Sequence, residues 1–168
     1  MHPDDDRRLT TADLSGADVA RIASSNAAAA VAERIIPIVA TTDDEKLPPG
    51  GLLCQVNQAR RVLNELMTCA LTYERLNGAT WEDIAKALGT DPADAVLNYK
   101  YFDWGHLADD PRALWHEFNK SSPAPAPGGC PHDPAEAARK LDDWAVRHHD
   151  PREKARRATR PVTAGLGK

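Results

Sequence analysis

Apolar residues recur at intervals of three and four along most of the chain. Val19, Ile22, Ala23, Ala30 and Val31, with Asn26 among them, keep this spacing over residues 18–36, and Pro37 stops it. The longest stripe covers residues 53–76: Val56, Ala59, Leu63, Leu66, Met67, Ala70 and Tyr73 share a face, while Gln58, Arg61, Asn64, Glu65 and Thr68 lie elsewhere. Between them, TTDDEKLPPGG carries two prolines and two glycines and reads as a loop. Asn77-Gly78 closes the long helix, because glycine accepts the left-handed backbone that ends one. Thr80 then caps a short helix over residues 81–88, with Asp83 placed to complete a capping box, and Gly89 makes the next turn.

Three Asp-Pro pairs follow, at Asp91-Pro92, Asp110-Pro111 and Asp133-Pro134. An aspartate accepts from the orphan amides of a first turn, and proline has no amide to leave unpaired there. Helices are therefore expected to start near Pro92, Pro111 and Pro134. Their inward residues should be Ala95, Val96, Tyr99 and Phe102; then Leu114, Trp115 and Phe118; then Ala138, Leu141, Trp144, Ala145 and His148. The sequences between the pairs do not match, so shared start chemistry explains them better than duplication. Period-two alternation of β-branched residues is nearly absent, which makes the expected fold class all-α.

The expected layout has a polar N-terminal segment with one helix and a Pro/Gly loop over residues 1–52, and a helical domain over 53–120. A linker follows at 121–133, then a C-terminal helix at 134–150. SSPAPAPGGCP favours an extended spacer. The basic tail, 151–168, is expected to be disordered. The four tryptophans, Trp81, Trp104, Trp115 and Trp144, stand at helical spacing and are expected in the core.

Charge complicates a simple reading. The net charge is −4 over 168 residues, but Arg152, Lys154, Arg156, Arg157, Arg160 and Lys168 crowd the tail. Glu82, Asp83, Asp91, Asp94, Asp103, Asp109 and Asp110 crowd the middle against Lys86 and Lys100. A basic tail attracts phosphates and an acidic middle repels them. The N-terminus has no signal-like apolar run and the longest apolar run is too short to span a bilayer, so a cytoplasmic protein with no membrane partner is expected. Cys54, Cys69 and Cys130 form no paired motif and read as reduced thiols.

From Gly78 the chain reads GATWEDIAKALGT, and residues 55–102 resemble the helix-turn-helix proteins of actinobacteria, in which a phrase like GAsWaeIGraLGvsrqaA is common. Gly78, Ala79, Thr80, Trp81, Ile84, Ala85, Leu88, Gly89 and Ala95 carry the match. The resemblance implies a trihelical unit in which Ile84 and Leu88 fill the core and Ala85 lets the next helix cross closely. It also implies a small DNA-binding protein, a transcriptional regulator. The chain departs from the phrase at Thr90-Asp91-Pro92-Ala93-Asp94, where relatives carry a helix-capping hydroxyl and then Arg and Gln as readers.

Carried onto this chain, the candidate DNA-contacting set is Thr80, Thr90, Ala93, Asp94, Leu97, Asn98, Lys100 and Tyr101. Asn98 suits adenine, Leu97 a thymine methyl and Asp94 a cytosine amine. Arg60, Arg61 and Arg75 on the preceding helix, and Arg156 and Arg157 in the tail, are the candidate phosphate contacts. The partners expected are double-stranded DNA and a second subunit or a protein. The alternative is a protein-interaction module on the same scaffold that holds a partner through its acidic face and the Trp144 helix. If that helix stands free beyond the linker rather than folding back onto the body, Leu141, Trp144 and Ala145 form an exposed stripe.

Two other clusters argue for little. Cys130, His132, His148 and His149 lack the close ligand pairs of a zinc site, so no metal and no cofactor is expected. Asp103, His106, Asp109, Asp110 and His116 come without a nucleophile or phosphate loop and read as capping and surface groups, so no enzyme activity is expected.

Overall fold

The computed structural model describes residues 9–39, 47–120 and 133–148, together with 162, 163 and 166. Among these the fold is all-α, with six α-helices: α1 (Gly16–Ile35), α2 (Gly51–Leu76), α3 (Trp81–Leu88), α4 (Pro92–Tyr99), α5 (Pro111–Lys120) and α6 (Pro134–His148). None of the helices is long and apolar enough to cross a membrane.

Local chemistry explains where they begin. Ser15 and Asp18 form a capping box, Ser15 Oγ accepting from the Asp18 amide at 3.1 Å and the Asp18 carboxylate from the Ser15 amide at 2.9 Å. The helix thus starts two residues before the apolar pattern does. All three Asp-Pro pairs act as expected: Asp91 accepts from the Ala93 amide, Asp110 from Ala113, and Asp133 from Ala135 and Glu136. Left-handed glycines, Gly78 at φ 88° and Gly89 at φ 67°, stand at the turns after α2 and α3.

Helix α1 is the centre of the molecule. It runs antiparallel to α2, with Arg34 Nη1 donating to Gln58 Oε1 near one end and Arg21 lying over the Tyr73 ring near the other. It also packs against α5 and α6. The main core joins Leu14, Val19, Ile22, Ala23 and Ala29 to Cys69 of α2, Leu114 and Trp115 of α5, and Ala135, Ala137, Ala138 and Leu141 of α6. The N-terminal helix expected outside the 53–120 domain instead organises its core. Alanines on its inner face let three helices approach one axis.

At its start the approach is closest. A Cβ on Gly16 would lie 2.6 Å from the Ala108 carbonyl oxygen and 2.9 Å from its Cα. The turn at Gly105–Leu107 and the entry to α5 therefore sit directly on the first turn of α1. Thr72 ties this region to α2: its hydroxyl donates to the Phe102 carbonyl at 3.2 Å and accepts from the Trp104 amide at 3.3 Å.

Helix α6 does not project beyond its linker. The Thr11 hydroxyl donates to Asp133 at 2.9 Å, Arg139 donates to the Leu9 carbonyl at 3.2 Å, and Trp144 Nε1 donates to Glu33 at 3.0 Å. The buried Asp142 accepts from the Val162 and Thr163 amides and from the Thr163 hydroxyl. Val162 and Leu166 pack on the main core, so at these positions the tail is ordered against α6 rather than disordered. The rest of residues 149–168, and the linker 121–132, lie outside the described residues.

Of the four tryptophans, all within the described residues, only Trp115 is buried. Trp81, Trp104 and Trp144 are half-buried, each using one face or edge for a polar neighbour. Arg75 lies over Trp81, His148 stacks on Trp144, and His106 tilts against Trp104.

Substituting Gly16→Ala should lower unfolding free energy by about 1–3 kcal/mol in urea titration, since the obstacle is backbone that has no rotamer to change. Asp133 yields a pH dependence. Burial pushes its carboxyl up, but the Thr11 hydroxyl, the Glu136 and Ala135 amides and Arg139 together hold it below the ordinary aspartate value of 3.8. Its contribution is complete above that ordinary value and is lost as pH falls through the lower folded value. Asp133→Ala should cost about 1–2 kcal/mol near neutral pH, and the deficit should shrink in parallel melts as pH falls below the ordinary aspartate value.

Candidate functional site

The segment from α3 to α4 folds from strictly local signals. Thr80 Oγ1 accepts from the Asp83 amide while Asp83 accepts from the Thr80 amide and hydroxyl, closing the box predicted for this start. These bonds hold the Asp83 carboxyl below its usual range, the Thr80 hydroxyl having the largest effect. The left-handed Gly89 turns the chain, and the Thr90 amide donates back to the Ala85 carbonyl at 3.0 Å. Asp91 then starts α4.

The two short helices pack mainly on each other. Ile84, Ala85 and Ala95 are buried between them, and Leu88 and Val96 are half-buried at the edge. Phe102, expected to point inward, is instead 47% exposed. The reason is a change of helix type: residues Lys100–Phe102 form a 3-10 turn, whose tighter winding rotates Phe102 off the inner face of α4.

The outward side of α4 carries Ala93, Asp94, Leu97 and Asn98, continuing into Lys100 and Tyr101, all exposed. Leu97 is 67% and Tyr101 74% exposed, and the Lys100 ammonium lies 5.0 Å from the centre of the Tyr101 ring. Six of the eight expected DNA-contacting residues are therefore gathered on one continuous surface. Thr80 and Thr90 are not part of the same display: the Thr80 hydroxyl is engaged in its capping box, and Thr90 is half-buried in the turn.

The expected phosphate contacts do not converge on that surface. Arg75 Nε pairs with Asp103 at 3.1 Å, Nη1 donates to the Ala79 carbonyl, and the guanidinium lies 5.2 Å from the Trp81 ring centre. It locks the end of α2 to the turn before α3 and to the 100–107 segment. Arg60 and Arg61 are exposed in mid-α2, with Arg60 donating to Asn57 Oδ1 at 3.0 Å. At 1.5 Å of rise per residue they lie roughly 20 Å along the axis from the end of that helix. Arg156 and Arg157 lie outside the described residues.

The stripe Leu141, Trp144 and Ala145 is not an open docking face. Leu141 and Ala145 are buried against the core, and Trp144 is half-buried with its indole N–H on Glu33. The helix that carries them folds back because Asp133 and Arg139 find partners at Thr11 and Leu9. The polar cluster near Phe102 likewise has local employment: Asp103 accepts from Arg75 and the Gly105 amide, and Asp110 caps α5. His106 and His116 are exposed.

Two features were not singled out by the sequence pattern. A cleft of about 410 Å³ opens between α1, α2 and α6, floored by Ala28, Ala29, Leu66 and Leu141 and rimmed by Arg21 and Trp144. Second, Leu52, Leu53, Val56, Leu63 and Met67 leave one flank of α2 exposed and apolar. The single stripe read from the sequence is wider than α1 can cover. Its signal was there: the apolar positions on α2 span two interleaved runs rather than one. Cys69 is on the covered side, its burial pushing the thiol up to about 12, and Cys54 is exposed. No family model, no curated protein and no solved structure matches this chain.

The engagement of Arg75 gives a direct test. Arg75→Ala should destabilise the fold by on the order of 1 kcal/mol in thermal or urea melts, whereas Arg61→Ala should change stability by less than about 0.5 kcal/mol.

Proposed function

We infer that this chain is a non-catalytic binding protein whose α3–α4 unit, a helix-turn-helix type scaffold, docks a protein partner through the outward side of α4. The observation that carries this reading is the composition of that surface. Leu97 and Tyr101 are largely exposed, near Asp91 and Asp94 in sequence, with Lys100 folded over the Tyr101 ring. An exposed aromatic and an aliphatic anchor inside an acidic border suit a partner surface that is apolar at its centre and basic at its edge.

The same composition is a poor match to a phosphate backbone. Non-specific DNA affinity comes from cations that displace condensed counterions, and Arg75, a candidate phosphate contact, is already paired with Asp103. Glu82, Asp83, Asp91 and Asp94 add repulsion in the same short stretch.

One observation favours a second reading, a DNA-binding regulator. Helix α4 follows a tight left-handed glycine turn, and Asn98 and Leu97 project from it without intramolecular cover. Those are the residue types that read adenine and the thymine methyl.

Fluorescence anisotropy with mixed genomic fragments at two salt concentrations separates the readings. The partner-docking reading expects no salt-sensitive binding by the wild type at micromolar protein, and gain of such binding on Asp94→Arg. Salt-sensitive binding by the wild type that Asn98→Ala weakens by about 1–3 kcal/mol would favour the DNA reading instead. Cross-linking of the tagged chain in its native cells completes the test: a partner captured by the wild type and lost on Leu97→Lys or Tyr101→Lys supports docking at α4. Capture unaffected by both substitutions would sink it.

A further inference from the structure

Helix α2 carries two apolar seams, and the fold uses one. Ala59, Val62, Leu66, Cys69 and Tyr73 follow each other at intervals of three and four; Ala59, Val62 and Cys69 are buried and Leu66 and Tyr73 half-buried. Leu53, Val56, Arg60, Leu63, Met67 and Ala70 keep the same alternating interval on the adjacent flank. All of these but Ala70 are exposed, Leu53 at 74%. Intervals of three and four are the repeat by which one helix accepts the side chains of another along its length.

The uncovered area is large enough to matter. Ile35, Ile36 and Val39 at the end of α1, with Leu47 and Leu52 at the entry to α2, are exposed at the same end of the α1–α2 hairpin. Together with the seam residues they add up to exposed apolar area on the order of 800 Å², close to one partner's share of a standard interface.

We propose that this flank of α2 is a homodimer interface, in which α2 of one chain packs antiparallel on α2 of a second copy. The seam fits itself in that direction. With Val56 opposite Met67 of the second copy, Leu53 falls opposite Ala70, and Arg60 falls opposite Leu63. Large side chains then meet small or flexible ones in each layer, and both chains contribute the same set, as a two-fold axis requires. Arg60 lays its methylenes over the facing leucine while its guanidinium stays at the edge, where it already bonds Asn57. In a parallel pair in register, Arg60 would instead oppose Arg60, and two like charges would share the centre of the interface.

Asn57 and Asn64 border the seam on its solvent side. In the antiparallel arrangement Asn57 of one chain and Asn64 of the other come within roughly 3 Å of the same height along the axis. Two α1–α2 hairpins joined in this way make a four-helix arrangement. The interface uses none of the α4 surface, so it stands or falls separately from the docking reading above.

Sedimentation equilibrium of the full chain over a range of concentrations is the test. The wild type is expected to dimerise, and Leu63→Lys or Val56→Lys to weaken dimerisation at least about 30-fold. Both positions are solvent-exposed in the monomer, so helicity by circular dichroism should be unchanged, and Leu97→Lys should leave the dimer intact. A wild type that stays monomeric at every concentration, whatever else it binds, overturns the proposal, as does a dimer indifferent to both lysines. Orientation is read by mixing an Asn57→Cys chain with an Asn64→Cys chain, each carrying Cys54→Ser and Cys130→Ser, and adding a short bis-maleimide. Cross-links between the two different chains are expected. Links of Asn57→Cys chains to each other, or none at all, overturn the antiparallel order.

Discussion

The narrowness of α1 governs the rest of the fold. Its inner face presents Val19, Ile22, Ala23, Ala29 and Ala30, and its first residue, Gly16, has the Ala108 backbone where a side chain would begin. Small residues let α2, α5 and α6 approach one helix closely. The cost is that α1 covers little of each neighbour. It fills one seam of α2 and leaves the adjacent one uncovered, and it leaves a cleft where α2 and α6 diverge. The thin central helix therefore produces both the closeness of the core and the exposed surfaces around it.

Polar bonds at the ends of helices then set which elements gather there. Asp133 serves two purposes, accepting from its own first turn and from the Thr11 hydroxyl before α1. Asp142, within α6, accepts from the Val162 and Thr163 amides and the Thr163 hydroxyl. Such buried or half-buried carboxylates are stable only when several donors converge on them. Each specifies one docking position for α6, where an apolar helix face alone would tolerate sliding.

The α3–α4 unit is attached differently. It shares its small core mostly within itself and meets α2 through the Arg75–Asp103 pair and the Thr72 clamp on residues 102–104. Its outward surface is left free of structural duties, and on it acids border exposed apolar groups. That separation of a self-contained display unit from a core held elsewhere suits a protein that works by association. A dimer through the open flank of α2 would present two such units.

Much of the secondary structure was legible in the sequence because capping is local chemistry. Asp-Pro at positions 91, 110 and 133, the Thr80–Asp83 box and the glycines at 78 and 89 each act within a few residues of themselves. The outward set on α4 was legible for the same reason, apart from Phe102, whose 3-10 turn no short-range signal announced. What the tertiary structure alone decided is which faces meet. Periodicity marks the apolar width of α2 but not which part of it α1 will cover, and it cannot tell a helix that folds back from one that projects. Arg75 looked like a phosphate ligand until Asp103, 28 residues later in the chain, was brought beside it. Partners far apart in sequence leave no periodic trace, because the free energy that joins them arises only when the packed core has set their positions.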